Sequence, residues 1–144
     1  MTLLDTNILI YGFKPSSPLH LWAWGIIRST VQGEGAAINP VILAEYLIGE
    51  LEPDTVITRL NAFGISILDL PFLAAPCCAE AYADYLENRR QQPVPPAPKS
   101  PLPDFFIGAH AGVLNLTLAT ADAARYRTYF PEVKLITPPE TDQG

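Results

Sequence analysis

The chain has 144 residues, with 15 acidic against 9 basic side chains and a net charge of −6. Hydrophobic content of 49% with 17% charged residues excludes a disordered chain, and the acidic balance argues against a nucleic-acid binder working by general electrostatic attraction. No apolar run approaches the roughly 18 residues that span a bilayer, and no basic, apolar leader precedes the first strand, so one cytoplasmic domain over 1–137 is expected.

Met1-Thr-Leu-Leu-Asp5-Thr6-Asn7-Ile-Leu-Ile-Tyr11 opens as a buried strand that ends in an acid and turns directly into a helix. Thr6 or Asn7 is the expected cap, because a short side-chain oxygen there can accept an orphan backbone N–H. Lys14 to Pro18 is a loop. Leu19 to Gln32 is an amphipathic helix with Leu19, Trp22, Ile26 and Ile27 on one stripe. Trp22 belongs to the core, Trp24 lies off the stripe, partly exposed or at an interface, and His20 is at the surface. Gly33-Glu-Gly35 ends this helix. A short strand over 36–39 leads to Pro40, which opens a helix running to about Gly49. Another helix spans Pro53 to Phe63, and an alternating strand runs from Ile65 to Asp69.

Pro71 to Asn88 is a long Ala-rich helix in which the adjacent Cys77 and Cys78 are small apolar residues, not a disulfide or a zinc site. Six prolines then fall between Pro93 and Pro103, and proline bars both helix interior and central strand, so 89–103 is an extended loop within the domain. Pro103 opens a helix from Asp104 to Asn115. A strand over Thr117–Ala119, a short helix from Ala121 to Tyr129 and a strand from Val133 to Thr137 complete the fold, and 138–144 is a flexible tail. This alternation predicts an α/β fold: a parallel sheet of four to five strands with helices on both faces, because right-handed crossovers place them there.

Four carboxylates are out of keeping with their neighbours. Asp5 ends the first strand, and Asp122 follows the strand over Thr117–Ala119. Asp104 begins an otherwise almost uncharged helix, and Glu45 sits on or beside an apolar helix face, roughly 7 Å from the start of its helix. In a parallel sheet the carboxyl ends of the strands and the N-termini of the crossover helices share one edge, where open α/β folds place their ligand sites. All four acids can converge there. The remaining acids named by position, Glu34, Glu50, Glu52, Asp54, Glu80, Glu87 and Glu132, belong to solvated surface.

Four crowded carboxylates need a counterion, and a hard divalent cation on oxygen ligands is the natural one. Mg²⁺ or Mn²⁺ in such a cluster points to phosphoryl chemistry. Asn7 and Thr120 are uncharged neighbours able to position a water or a phosphate oxygen, and Gly108, one turn after Asp104, would leave room for substrate.

The pattern resembles the PIN-domain ribonuclease family, and more closely the VapC toxins of toxin–antitoxin pairs. The likeness rests on Leu-Leu-Asp5-Thr-Asn7, Asn-Pro-Val-Ile-Leu-Ala-Glu45-Tyr, Leu-Pro-Asp104-Phe-Phe-Ile-Gly-Ala-His-Ala and Leu-Ala-Thr120-Ala-Asp122-Ala-Ala-Arg-Tyr, in that order. It implies a three-layer α/β/α sandwich and a Mg²⁺- or Mn²⁺-dependent endoribonuclease that is usually a homodimer and is blocked by a small antitoxin. On that likeness Asp5, Glu45, Asp104 and Asp122 are the catalytic, metal-binding acids, with Asn7 and Thr120 in support. The approach to Asp104 departs from many relatives: it is proline-rich, and Lys99 is its one charge.

Other residues carry weaker signals. His110 is angularly offset from Asp104 and is expected to be structural. Lys99, Arg125 and Arg127 could meet RNA phosphates or an antitoxin carboxylate; the last two could equally complement a helix dipole. Two rival functions remain. A haloacid dehalogenase-type phosphatase also begins with a strand ending in Asp, but needs a second Asp where this chain has Asn7. A non-catalytic PIN-like scaffold would bind through its dimer surface, although degenerate relatives normally lose acids and here all four stand.

Overall fold

The computed structural model describes residues 1–93 and 101–140. Five parallel strands form one sheet in the order β3-β2-β1-β4-β5: β1 is Thr2–Leu4, β2 Ala36–Ile38, β3 Ile65–Ile67, β4 Thr117–Ala119 and β5 Leu135–Ile136. Each has only two or three residues, and those of β1 and β2 are wholly buried, as strands covered on both faces must be. Among the described residues seven helices cover the sheet: α1 (Thr6–Gly12), α2 (His20–Gln32), α3 (Pro40–Leu47), α4 (Pro53–Phe63), α5 (Ala74–Arg90), α6 (Leu102–Leu114) and α7 (Ala124–Tyr129). The result is the expected three-layer α/β/α arrangement. α1 packs on α2, α5 packs on α6, and α3 touches both α1 and α6.

The core runs through the sheet from Leu3, Leu4, Ile38 and Leu118 to Ile8, Leu9 and Ile27 and to Phe105, Ile107 and Phe130. Phe105 is ringed by Tyr82, Tyr85, Tyr129 and Phe130 at centroid distances of 5.3–5.8 Å, a cluster that seats the first turn of α6 against α5 and α7. No helix among the described residues is long and apolar enough to cross a membrane.

Several expectations are corrected. The cap of α1 is Asp5 itself, whose side chain accepts from Thr6 N, so neither Thr6 nor Asn7 has that role. α7 begins at Ala124 rather than Ala121; residues 121–123 stay outside it, with Ala121 N donating to Asn7 Oδ1 and Asp122 N to Thr120 Oγ1. α5 extends through Arg90, so the chain is still helical where the proline-rich loop was expected to begin. His20 is half-buried, with Nδ1 3.1 Å from Tyr11 O and its ring stacked on Trp24. Trp24 in turn packs edgewise on Phe13 and Phe63, and Trp22 lies against the core. Cys77 and Cys78 are free thiols on α5, as expected.

Candidate active site

A cleft of about 250 Å³ opens at the carboxyl edge of the sheet, lined by Asp5, Thr6, Asn7, Ile10, Glu45, Asp104, Asp122 and Arg125. The four acids singled out in the sequence reach it from four places: the end of β1, the middle of α3, the first turn of α6 and the turn after β4. The acids read as solvated surface, from Glu34 to Glu132, are all exposed.

Asp5 forms the floor. It is only 5% exposed: Thr6 N donates to Oδ1 at 2.7 Å, which leaves that oxygen a free lone pair, while Thr120 Oγ1 (2.8 Å) and Tyr126 Oη (3.0 Å) donate to Oδ2. A longer contact, 3.5 Å, comes from Asn7 Nδ2. Burial nevertheless pushes its pKa up to about 6; the Asp104 charge adds to the rise, and the donors only partly oppose it. Asp104, half-buried, is also pushed up, first by burial and then by the charge of Asp122, against the pull of Arg125. Among the described residues lining the cleft, four acids stand against the single cation Arg125.

Two uncharged residues stitch β4 to β1. The single proton of Thr120 goes to Asp5, the shorter and charged partner, which leaves its oxygen to accept from Asp122 N and, at 3.3 Å, from Asn7 Nδ2. Asn7 closes the loop by accepting from Ala121 N. The position where a phosphatase would carry a second aspartate is thus spent on holding the turn that carries Asp122.

Glu45 is held by Thr6, whose hydroxyl donates to Oε1 at 2.8 Å. Its helix is anchored from below: Asn39 caps α3 through Ile42 N, and its amide lies 3.0 Å from His110 Nδ1 in the core. Because Asn39 Oδ1 is occupied by Ile42, its NH₂ is the donor and His110 Nδ1 the acceptor. His110 is fully buried and burial lowers its pKa, so it is a neutral structural brace between α3 and α6, as expected.

Thr6 and Tyr126 were missed as site residues. Thr6 registered only as a cap candidate. Tyr126 stands four residues after Asp122 in Asp-Ala-Ala-Arg-Tyr, but its ring is 1% exposed and nothing in the pattern says that a core phenol ends on a carboxylate 121 residues away. Gly108 is a correction. A Cβ there would collide with the ring of Phe130, so the missing side chain makes room for the core and not for substrate. Of the proposed contact residues, Arg125 lines the cleft and pairs with Asp104, whereas Arg127 is exposed in the last turn of α7 and does not line it. Lys99 lies outside the described residues.

The donor set fits a hard divalent cation: four carboxylates, oxygen only, in one cleft with Arg125 as the single cation among its described lining residues. The acids are not preassembled into a cage. No three His, Cys, Asp or Glu side chains among the described residues stand together at ligand distances, since Thr6 holds Glu45 and Arg125 holds Asp104.

The PIN domain profile matches residues 2–131. Among solved structures, the chain is similar to VapBC2 from Rickettsia felis bound to a DNA fragment from their promoter (20% identity, 95% of this chain and 98% of that one, TM-score 0.68). It is also similar to VapBC-1 from nontypeable Haemophilus influenzae (19%, 94% and 96%, 0.65) and to a toxin–antitoxin complex from Klebsiella pneumoniae (22%, 98% and 100%, 0.58). None of the curated proteins matches.

Proposed function

The chain belongs to the PIN domain family, whose members are generally nucleases, and on that premise we propose that it is a Mg²⁺- or Mn²⁺-dependent endoribonuclease and the toxin of a toxin–antitoxin pair. The observation that carries the reading is the convergence of Asp5, Glu45, Asp104 and Asp122 on one cleft, with Asp5 buried so deeply that its charge is costly unless a cation offsets it.

Asp5, Asp104, Asp122 and Glu45 would hold the metal. A bound divalent cation lowers the pKa of water and neutralises charge developing on the phosphodiester. The chain's own residues do the rest. Thr120, Tyr126 and the Thr6 amide aim the Asp5 carboxylate, and Thr6 aims Glu45. Asn7 fixes the turn that presents Asp122 at the exposed lip of the cleft. These donors are in place before substrate arrives, whereas Glu45 and Asp104 still have to turn from Thr6 and Arg125 toward a metal. No side chain is asked to form a covalent bond with the RNA.

Asp5→Asn and Asp104→Asn should each lower Mg²⁺-dependent cleavage of single-stranded RNA by at least about 10²-fold, with unchanged far-UV circular dichroism. Full activity in EDTA, or in both variants, would sink the mechanism. The toxin reading draws support from the toxin–antitoxin character of the similar structures. It predicts that expression alone slows growth and that a small protein encoded next to this chain co-purifies with it. Homodimerisation and cytoplasmic residence are part of the same proposal and rest on the family resemblance alone.

A further inference from the structure

Arg125 is the one cation among the described residues that line the acid cleft, and it is already in use. Its Nη1 donates to Asp104 Oδ2 at 2.6 Å, and its guanidinium carbon lies 5.7 Å from the centre of the Tyr85 ring. The pair sits at the mouth of the cleft: the two side chains are 35% and 36% exposed, against 5% for Asp5 on the floor. Resting on the nuclease reading, we propose that Arg125 is an exchangeable counter-cation. It holds Asp104 while the cleft lacks metal, yields that carboxylate when a divalent cation binds, and then pairs with a phosphodiester of the RNA.

The exchange follows from competition for one carboxylate charge. A divalent ion that takes Asp104 as a ligand draws off the negative charge that strengthens the N–H···O bond and repels the guanidinium at short range. Arg125 cannot travel far once displaced, because the next residue, Tyr126, is buried and hydrogen-bonded to Asp5. The face of the Tyr85 ring, already within cation–π distance, gives the released guanidinium a seat beside the cleft. From that seat, on a ring that Arg89 also approaches at 5.8 Å, it is the cation that lines the cleft itself, and the two free oxygens of a phosphodiester match its planar fork as a carboxylate does. Metal and substrate phosphate thus divide between them a pair that the free chain closes on itself.

The exchange gives opposite signs in two measurements on the full chain. By isothermal titration calorimetry, Arg125→Gln should bind Mn²⁺ roughly fivefold more tightly than the unmodified chain, the size of a partly exposed ion pair removed as competitor. Arg127→Gln, the same charge change two residues along, should shift it by less than about twofold. By fluorescence anisotropy of a labelled single-stranded RNA, with Ca²⁺ replacing Mn²⁺ to hold off cleavage, Arg125→Gln should bind RNA roughly tenfold more weakly and Arg125→Lys should fall between. A damaged fold cannot tighten metal while loosening RNA. Unchanged or weaker Mn²⁺ affinity, or unchanged RNA affinity, in Arg125→Gln overturns the exchange and leaves the nuclease reading standing, provided the unmodified chain binds Mn²⁺ and Asp104→Asn does not. If the unmodified chain binds no Mn²⁺, the nuclease reading falls and the exchange with it.

Discussion

Asp5 sits in surroundings that penalise its charge, and the cost can be read as a function of pH. An unfolded aspartate titrates near its ordinary value of 3.8, whereas burial lifts the folded carboxyl to about 6. Between those values the folded chain keeps a proton that the unfolded chain has lost, so metal-free stability falls as pH rises through the window and the penalty is complete above it. The rise from 3.8 to about 6 corresponds to about 3 kcal/mol, and an amide offers one acceptor oxygen fewer to the donors around it, so in chelator Asp5→Asn should be about 2 kcal/mol more stable than the unmodified chain at pH 7.5, and should show no such gain below pH 4, by urea unfolding. An equal gain at both pH values would assign the effect to packing instead. The position of Asp5 was legible because an acid among aliphatic neighbours at a strand end is out of place in any sequence. What holds it was not. Tyr126 and Thr120 reach it from more than 110 residues away, and side-chain donors at that separation leave no local pattern. Gly108 shows the converse error, since a missing side chain is visible in the sequence but the ring that fills its place is not.

Among the elements, α3 and α6 matter most, because they carry Glu45 and Asp104 and are tied together beneath the cleft. Asn39 does both jobs there, capping α3 and donating to His110 on α6. Asn39→Ala removes the cap and leaves a buried imidazole nitrogen unpaired, so it should cost about 2–3 kcal/mol in urea unfolding and also weaken Mn²⁺ binding. A loss confined to the cap, about 1 kcal/mol with metal affinity intact, would mean that the brace does not position the acids. The helices and strands were legible in order and type, because their periodicities and proline and glycine boundaries are local. The start of α7 was not, because Asn7, which binds residue 121 in the segment before the helix, stands 114 residues away. Asp122 lies in that segment and is exposed at the lip.

At the scale of the whole molecule, a net charge of −6 with a single cation among the described lining residues leaves little scope for counterion release. RNA binding in Ca²⁺ should therefore weaken only modestly with salt, with a log–log slope of about −1 to −2; a slope steeper than about −4 would mean an extensive basic surface. The parallel sheet was legible from the alternation of elements, and with it the edge on which the acids meet. The strand order was not, since no residue pattern says that the first strand lies between the second and the fourth. That order has a consequence in time. β1 pairs with β4, and Asp5 is made 121 residues before the tyrosine that secures it. A chain still on the ribosome therefore carries the central acid of its site without the turn and helix that complete it until residue 126 has been added. On the nuclease reading, the site stays incomplete until that segment has been made.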